Sequence, residues 1–331
     1  MTQVGCAGIL VSDTFCGPMA GLPQEGQLLA VSEMPNKAGG CAANVAIDLA
    51  KQNITVDIAG CLGDDPSARV LLAGLEAHQV GCDRIVYSRS LPTSKTVILL
   101  VSGQDRRYIH SFGANAAFTV GDINRDWVQS LKVFYLGGLF LMPAFRLDEF
   151  VELLQFCRSQ GITTVVDVVI PHKTILPRDL RPLLQAVDYI LPNDDEAHAM
   201  TGETEPMAQL HKLAAWGANT VRITLAKRGV VAAQGDRCWQ AGIYPMTGSV
   251  DPSGSGDAFA AGVVTGIVRQ WDLPRTIQYA SALGASATRA LGTTDGVFTG
   301  GEAEAFITHH TLSIQSGPLS PKSHKEQKDE S

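Results

Sequence analysis

Short runs dense in β-branched and other apolar residues recur along this chain, separated by amphipathic stretches with helical spacing. Val4–Val11, Thr55–Cys61, Val133–Gly137, Thr163–Val168, Tyr189–Leu191 and Thr220–Leu225 are predicted as strands. Ala42–Gln52, Pro66–His78, Leu147–Ser159 and Met207–Trp216, lying between them, are predicted as helices. Strands apolar at nearly every position, alternating with helices, predict a mainly parallel sheet covered on both faces. Two segments break the alternation. Thr96–Val101 and Arg106–Phe112, joined by Ser-Gly-Gln-Asp, predict an antiparallel hairpin, as do Val230–Ala233 and Cys238–Tyr244 around Gly235-Asp236.

Thr14–Met34 is rich in glycine and proline without helical period, and is expected to join the first hairpin in a small separate sheet. Ser313–Ser331 has few large apolar residues and balanced charge, so a disordered tail is expected after a domain spanning 1–312. No internal repeat is found.

The 331 residues are 45% hydrophobic and 18% charged, an ordinary globular balance that can bury a sizeable core. A net charge of −7 provides no basic face for nucleic acid. No apolar stretch is long enough to cross a bilayer, and the strand-like N-terminus does not read as a signal peptide. A cytoplasmic location without membrane partner is therefore expected. The seven cysteines show no C-x-x-C spacing, which predicts reduced thiols and no zinc site.

The chemistry concentrates where glycines meet helix starts. Asp251-Pro-Ser-Gly-Ser-Gly-Asp-Ala-Phe-Ala-Ala-Gly262 cannot begin as a regular element, yet it continues into an apolar helix. Glycines at a helix N-terminus aim unpaired N–H groups at one spot, which suits an anion such as phosphate. Asp257 at that spot is either a helix cap or a group that accepts a proton beside the anion. A second loop, Ala38-Gly39-Gly40-Cys41-Ala42-Ala43-Asn44, offers close backbone approach and a versatile amide. It suits a polyhydroxylated ligand, or is simply a loop packed tightly on the sheet. Asp13 follows the first strand, where α/β proteins hold ligands but where turn residues are also common. Asn193-Asp194-Asp195-Glu196 reads either as a Mg²⁺ segment or as a capping box.

In combination and in order, these segments resemble the PfkB (ribokinase-like) carbohydrate kinase family over roughly Val4 to Ile307. Gly39-Gly40 followed by Asn44 is similar to its first signature, and Asp251–Gly262 to its second. Thr224–Gly229 resembles the segment against the nucleotide, and Gly113–Ala117 the end of a lid hairpin. The resemblance implies a three-layer α/β sandwich with a mainly parallel central sheet and a small β-sheet lid formed by about 14–34 and 96–111. It also implies ATP-dependent phosphorylation of a hydroxyl on a small sugar or sugar acid, with nucleoside kinase or a silent ligand-binding member as alternatives.

Residue by residue, it implies Asp257 as base and Gly254, Ser255 and Gly256 as the anion hole. Asp13, Gly39, Gly40 and Asn44 would bind the sugar. Asn193, Thr224, Ala226 and Gly229 would hold the nucleotide, with Glu196 on Mg²⁺ through water and Asp251 and Ser253 beside a monovalent cation such as K⁺. A homodimer through the lid is a further expectation. Ala226 stands where glycine is usual, and the Gln-x-Glu of true ribokinases is missing after Gly138. Arg106-Arg107 either meets an acidic group on the substrate or forms a solvated hairpin face.

Overall fold

The computed structural model describes residues 2–104, 106–171, 173–248 and 250–319. In chain order, the first half runs β1 (Val4–Gly8), β2 (Val11–Met19), β3 (Asn36–Gly39), α1 (Cys41–Lys51), β4 (Val56–Gly63), α2 (Pro66–Ala77), β5 (Gly81–Ser88), β6 (Lys95–Val101), β7 (Arg107–Ser111), α3 (Arg125–Gln129) and β8 (Val133–Leu139). There follow α4 (Leu147–Ser159), β9 (Thr163–Val168), α5 (Arg181–Ala186), β10 (Tyr189–Ile190), α6 (Asp194–Thr201), α7 (Pro206–Ala215), β11 (Thr220–Thr224), β12 (Val230–Gln234) and β13 (Arg237–Ala241). The last elements are α8 (Ser255–Val268), α9 (Leu273–Ala287), α10 (Gly300–His309) and β14 (Ile314–Pro318).

Ten strands form one sheet in the order β14-β13-β12-β11-β10-β9-β8-β1-β4-β5. Neighbours from β5 across to β11 run parallel, and β12, β13 and β14 close the other edge antiparallel. Strand β1 lies in the parallel part, with Val4 opposite both Val56 and Val133. Every one of its residues is buried, as expected of a strand covered on both faces. One face packs under α1, α2, α8 and α9, and the other under α3 to α7, giving three layers.

A second sheet of four strands, β3-β2-β6-β7, forms the lid. Its make-up departs from the expected 14–34 and 96–111. The run Val4–Val11 breaks at Gly8, which takes a positive φ of 131°, so β1 belongs to the large sheet and β2 begins the lid at Val11. Residues between Met19 and Asn36 form no strand, and the lid's outer partner is instead β3, running directly into Gly39. Asn115 braces the junction: its Oδ1 accepts from Leu10 N–H at 3.1 Å and its Nδ2 donates to Leu10 O at 3.0 Å.

The tail also departs from expectation. Ile314–Pro318 pairs with Arg237–Ala241 as an edge strand, so order continues past residue 312. Backbone pairing needs no large side chains, and the polar sequence suits a strand open to water on one face. The rest of the expected tail, 320–331, lies outside the described residues. Among the described residues no helix is long and apolar enough to cross a membrane. All seven cysteines are free thiols.

Candidate active site

The site forms at the carboxyl ends of β1, β8, β9 and β11, where the N-termini of α1, α6 and α8 converge. Gly254, not Asp257, caps α8. It has φ 79°, and a Cβ there would stand 1.9 Å from the carbonyl oxygen of Thr293, so only glycine fits this turn. Ser255, Gly256 and Asp257 form the first helical positions, whose N–H groups have no acceptor within a helix. Asp257 is therefore free of a capping task and projects from the first turn into the cleft.

The two glycine loops meet through hydrogen bonds. Asn44 Nδ2 donates to Asp257 Oδ2 at 2.7 Å, and Thr293 Oγ1 donates to Asn44 Oδ1 at 2.8 Å. Asn44 is 2% exposed and fully engaged. Lys37 of β3 donates to Leu291 O and Asp295 Oδ1, both at 2.8 Å, and so ties the lid to the loop that carries Thr293. Burial raises the Asp257 carboxyl above the usual range, and donors on Asn44 and Cys41 partly offset this.

Carboxylates crowd around it. Asp13, 6% exposed at the lid junction, is pushed up to about 7 by burial and the charge of Asp257, against a hydrogen bond from Thr96. Gly39 makes room for it: a Cβ there would lie 1.9 Å from Asp13 Oδ2. Gly40 caps α1 directly behind. Glu196 is raised to about 7 by burial and by the charges of Asp195 and Asp257, against the backbone N–H of Asn193.

Asn193 and Glu196 do form a capping box on α6, with Glu196 N to Asn193 Oδ1 at 2.9 Å and Asn193 N to Glu196 Oε2 at 2.8 Å. That box also fixes Glu196 facing the cleft, so cap and site coincide. Asn193 bridges Thr224 at the end of β11. Beyond it Ala226 takes a left-handed φ of 49°, where glycine would be relaxed, and Gly229 closes the turn at φ 94°. Thr224, Ala226 and Gly229 thus line one wall of the same end of the sheet.

Asp251 and Ser253 brace the glycine loop. Ser253 N and Oγ donate to Asp251 Oδ1 at 3.0 and 2.8 Å, and Gly292 N approaches Oδ2 at 3.4 Å. The Tyr108 hydroxyl of the lid is near enough to Ser253 and Asp251 for both to act on its pKa, so β7 reaches this loop. Arg107 donates to Gln104 within its own turn at 2.6 Å, and Arg106 donates to Tyr108 Oη, which matches the solvated hairpin face more closely than a substrate contact.

Two further residues enter the site that the sequence motifs did not mark. Ligand atoms of Cys41, Asp167 and Asp257 lie within 4.8 Å of one another. Burial, then the charges of Glu196 and Asp257, hold Asp167 well above the usual range, while Tyr135 Oη donates to it at 3.2 Å. Burial, then the charges of Asp257 and Asp167, raises the Cys41 thiol well above its usual range. The hint for Asp167 was its place at the end of β9; Cys41 resembled any small apolar residue. Hard carboxylate oxygens that raise one another's pKa are a donor set that suits Mg²⁺.

Comparison with known proteins gives the family and the fold. A curated ATP-dependent 6-phosphofructokinase from Thermoanaerobacterium thermosaccharolyticum is 24% identical over 261 residues, covering 77% of this chain and 80% of that protein. A 2-dehydro-3-deoxygluconokinase from Bacillus subtilis is 25% identical over 294 residues, covering 86% and 90%. A solved structure of a putative ribokinase II from E. coli, in complex with ATP and Mg²⁺, superposes with a TM-score of 0.76 at 18% identity, covering 94% of this chain and 100% of that one. The family model for pfkB family carbohydrate kinases matches residues 1–299. With two glycine loops, a lid sheet and an acidic cleft in one arrangement, the chain belongs to the pfkB family of carbohydrate kinases, phosphotransferases with an alcohol group as acceptor.

Proposed function

We propose that this kinase transfers the γ-phosphoryl group of ATP to a hydroxyl of a small sugar or sugar acid, with Asp257 as the base. The observation that carries the reading is the 2.7 Å bond from Asn44 to Asp257, which joins the hydroxyl-binding loop to the anion-binding turn. Asp13, Gly39, Gly40 and Asn44 hold the acceptor's hydroxyls. Asp257 removes the proton of the attacking hydroxyl, whose oxygen bonds to phosphorus as the bond from phosphorus to the ADP oxygen breaks. N–H groups of Gly254 and Gly256 face the charge on the transferring group, and that of Ser255, which here donates to Pro252 O at 3.3 Å, joins them by giving up that bond.

Asn193, Thr224, Ala226 and Gly229 hold the nucleotide. Glu196 would hold Mg²⁺ through water, and the metal would supply positive charge against the phosphates. A monovalent cation beside Asp251 and Ser253 would support the same loop. The lid shields the reaction from water, and exposed apolar residues on β7 (Ile109 at 62%) and on the loop between β2 and β3 (Leu28 at 91%) support a homodimer through the lid.

The test is ADP release by the purified protein across pentoses, hexoses, sugar acids, sugar phosphates and nucleosides. Sugar-dependent turnover that collapses in Asp257→Asn supports the reading. A preference for nucleosides overturns the acceptor class, and tight binding without turnover on any substrate overturns the catalytic reading.

A further inference from the structure

Arg222 is a buried charge with no acidic partner among the described residues. It sits in the middle of β11 and is 2% exposed, with Nε and Nη1 sealed from solvent and lacking hydrogen-bond partners among those residues. The group it faces is the ring of Tyr189, 5.1 Å from the guanidinium carbon. Burial lowers its pKa to about 10, with only Tyr189 opposing that effect among the described residues. A guanidinium is almost never buried without a partner anion. Thr220, two residues earlier on the same face of β11, is 1% exposed, and its hydroxyl too lacks a partner among the described residues.

Both residues point towards α8 and α9, where the protein has left a cavity. It measures about 170 Å³ and is lined by Arg222, Tyr189, Gln234, Gln270, Trp271 and Thr276, among others. The sheet register sets Tyr189 and Gln234 on either side of Thr220. Trp271 in the wall is flanked by two more cations, Arg269 at 5.2 Å and Arg275 at 5.1 Å, with Glu304 as their shared acid. At about 30 Å³ per water molecule the space equals roughly five or six waters, enough for a compact anion and too little for a nucleotide.

The place is distinct from the active site. The cavity lies at the C-terminal end of α8, whose first turn carries Asp257. At about 1.5 Å rise per residue, the ten residues from Asp257 to Ile267 separate the two by about 15 Å.

We propose that this cavity is a second binding site, which takes a compact oxyanion, phosphate or a small carboxylate, on the guanidinium of Arg222. The part of the guanidinium that lines the cavity offers the anion a charge-assisted hydrogen bond, and the delocalised positive charge behind it holds either anion. The amides of Gln234 and Gln270 supply further donors at the mouth.

The experiment uses the full chain with Mg²⁺ and saturating AMP-PNP, so that the active site is filled, at fixed ionic strength set with chloride. Thermal unfolding is followed while inorganic phosphate or acetate is titrated. A saturable rise in midpoint with either anion is expected, and which anion gives it separates the two sources. The rise should vanish in Arg222→Met and weaken about tenfold or more in Arg222→Lys, while stabilisation by AMP-PNP persists in both. No rise in the wild type, or an equal rise in Arg222→Met, would overturn the proposal. Should Arg222→Met fail to fold, the ¹H–¹⁵N signal of Arg222 Nε, identified by its loss in Arg222→Lys, decides the matter. A saturable shift with anion supports the site, and an unmoved signal overturns it.

Discussion

Asp13→Asn should stabilise the free protein at alkaline pH while crippling it as an enzyme. Asp13 is 6% exposed, and its carboxyl stands at about 7 in the folded protein against 3.8 as the ordinary value, chiefly through burial. Because the folded value is raised, the carboxyl's contribution to stability is complete below about pH 4 and is lost as pH rises through 7. At about 1.36 kcal/mol per unit, that loss approaches 4 kcal/mol at pH 8, of which about 3 kcal/mol falls between pH 5 and pH 8. The cleft beside Asp13 admits water, which reduces the expected change over that range to about 1.5–3 kcal/mol. Asparagine has nearly the same shape, keeps an oxygen for the Thr96 hydroxyl and does not titrate. The stability gap between variant and wild type should therefore widen by that amount from pH 5 to pH 8. Urea unfolding followed by tryptophan fluorescence at both pH values measures it. A gap independent of pH, or a variant less stable at pH 8, would refute the reasoning. The same variant should raise the KM for sugar at least tenfold, since a charged acceptor is lost from the binding loop.

Asp257→Asn keeps an oxygen for Asn44 but cannot accept a proton, so kcat should fall by about 10²–10⁴ with KM for ATP little changed in steady-state ADP release; a residual rate above a tenth of wild type would remove Asp257 as base. Gly254→Ala places a Cβ against Thr293 O at φ 79°, and kcat should drop at least about 100-fold as the anion-binding turn is displaced. Gln52 is fully buried, accepts from Tyr279 Oη at 2.6 Å and donates to Asp48 O and Phe298 O at 2.9 Å each; Gln52→Ala should cost about 2–4 kcal/mol in chemical denaturation without changing the pH profile of activity. Ending the chain at Leu312 removes β14 and bares the edge of β13, so a lower Tm and concentration-dependent aggregation in light scattering are expected.

What could be read from the sequence was whatever is local. Continuous apolar runs marked the parallel strands, because a strand buried on both faces has no polar positions to hide it. Asp251–Gly262 was legible because the tight turn at Gly254, with φ 79° and Thr293 O against it, admits only glycine. What escaped was set by distant neighbours. The break at Gly8 depends on the approach of Gly137, whose carbonyl oxygen would lie 2.0 Å from a Cβ at Gly8. Strand β5, at the edge of the sheet and fully buried only at Ile85, lacks the apolar run that announces its neighbours. Ile314–Pro318 is a strand because β13 offers it an edge. Cys41 and Asp167 are brought beside Asp257 from opposite sides by α1 and β9, which no spacing along the chain encodes.

The crowding of Asp13, Asp167, Glu196 and Asp257 bears on how the site works. Each carboxyl is raised by burial, and the charge of Asp257 raises the other three. Such a cleft is least favourable to itself when empty and fully ionised. Ligands that bring hydroxyl donors or positive charge relieve it, and these are what a sugar and a metal-bound nucleotide bring. The bond from Asn44 favours the charged form of Asp257, which is the form the proposed base needs. Thr293 holds Asn44 in that orientation, and the same residue's carbonyl stands against Gly254. One loop therefore bears on both the proposed base and the proposed anion hole. Lys37 ties that loop to the strand that delivers Gly39, so an acceptor settling against Gly39 acts on the anion-binding turn through two side chains rather than through the sheet.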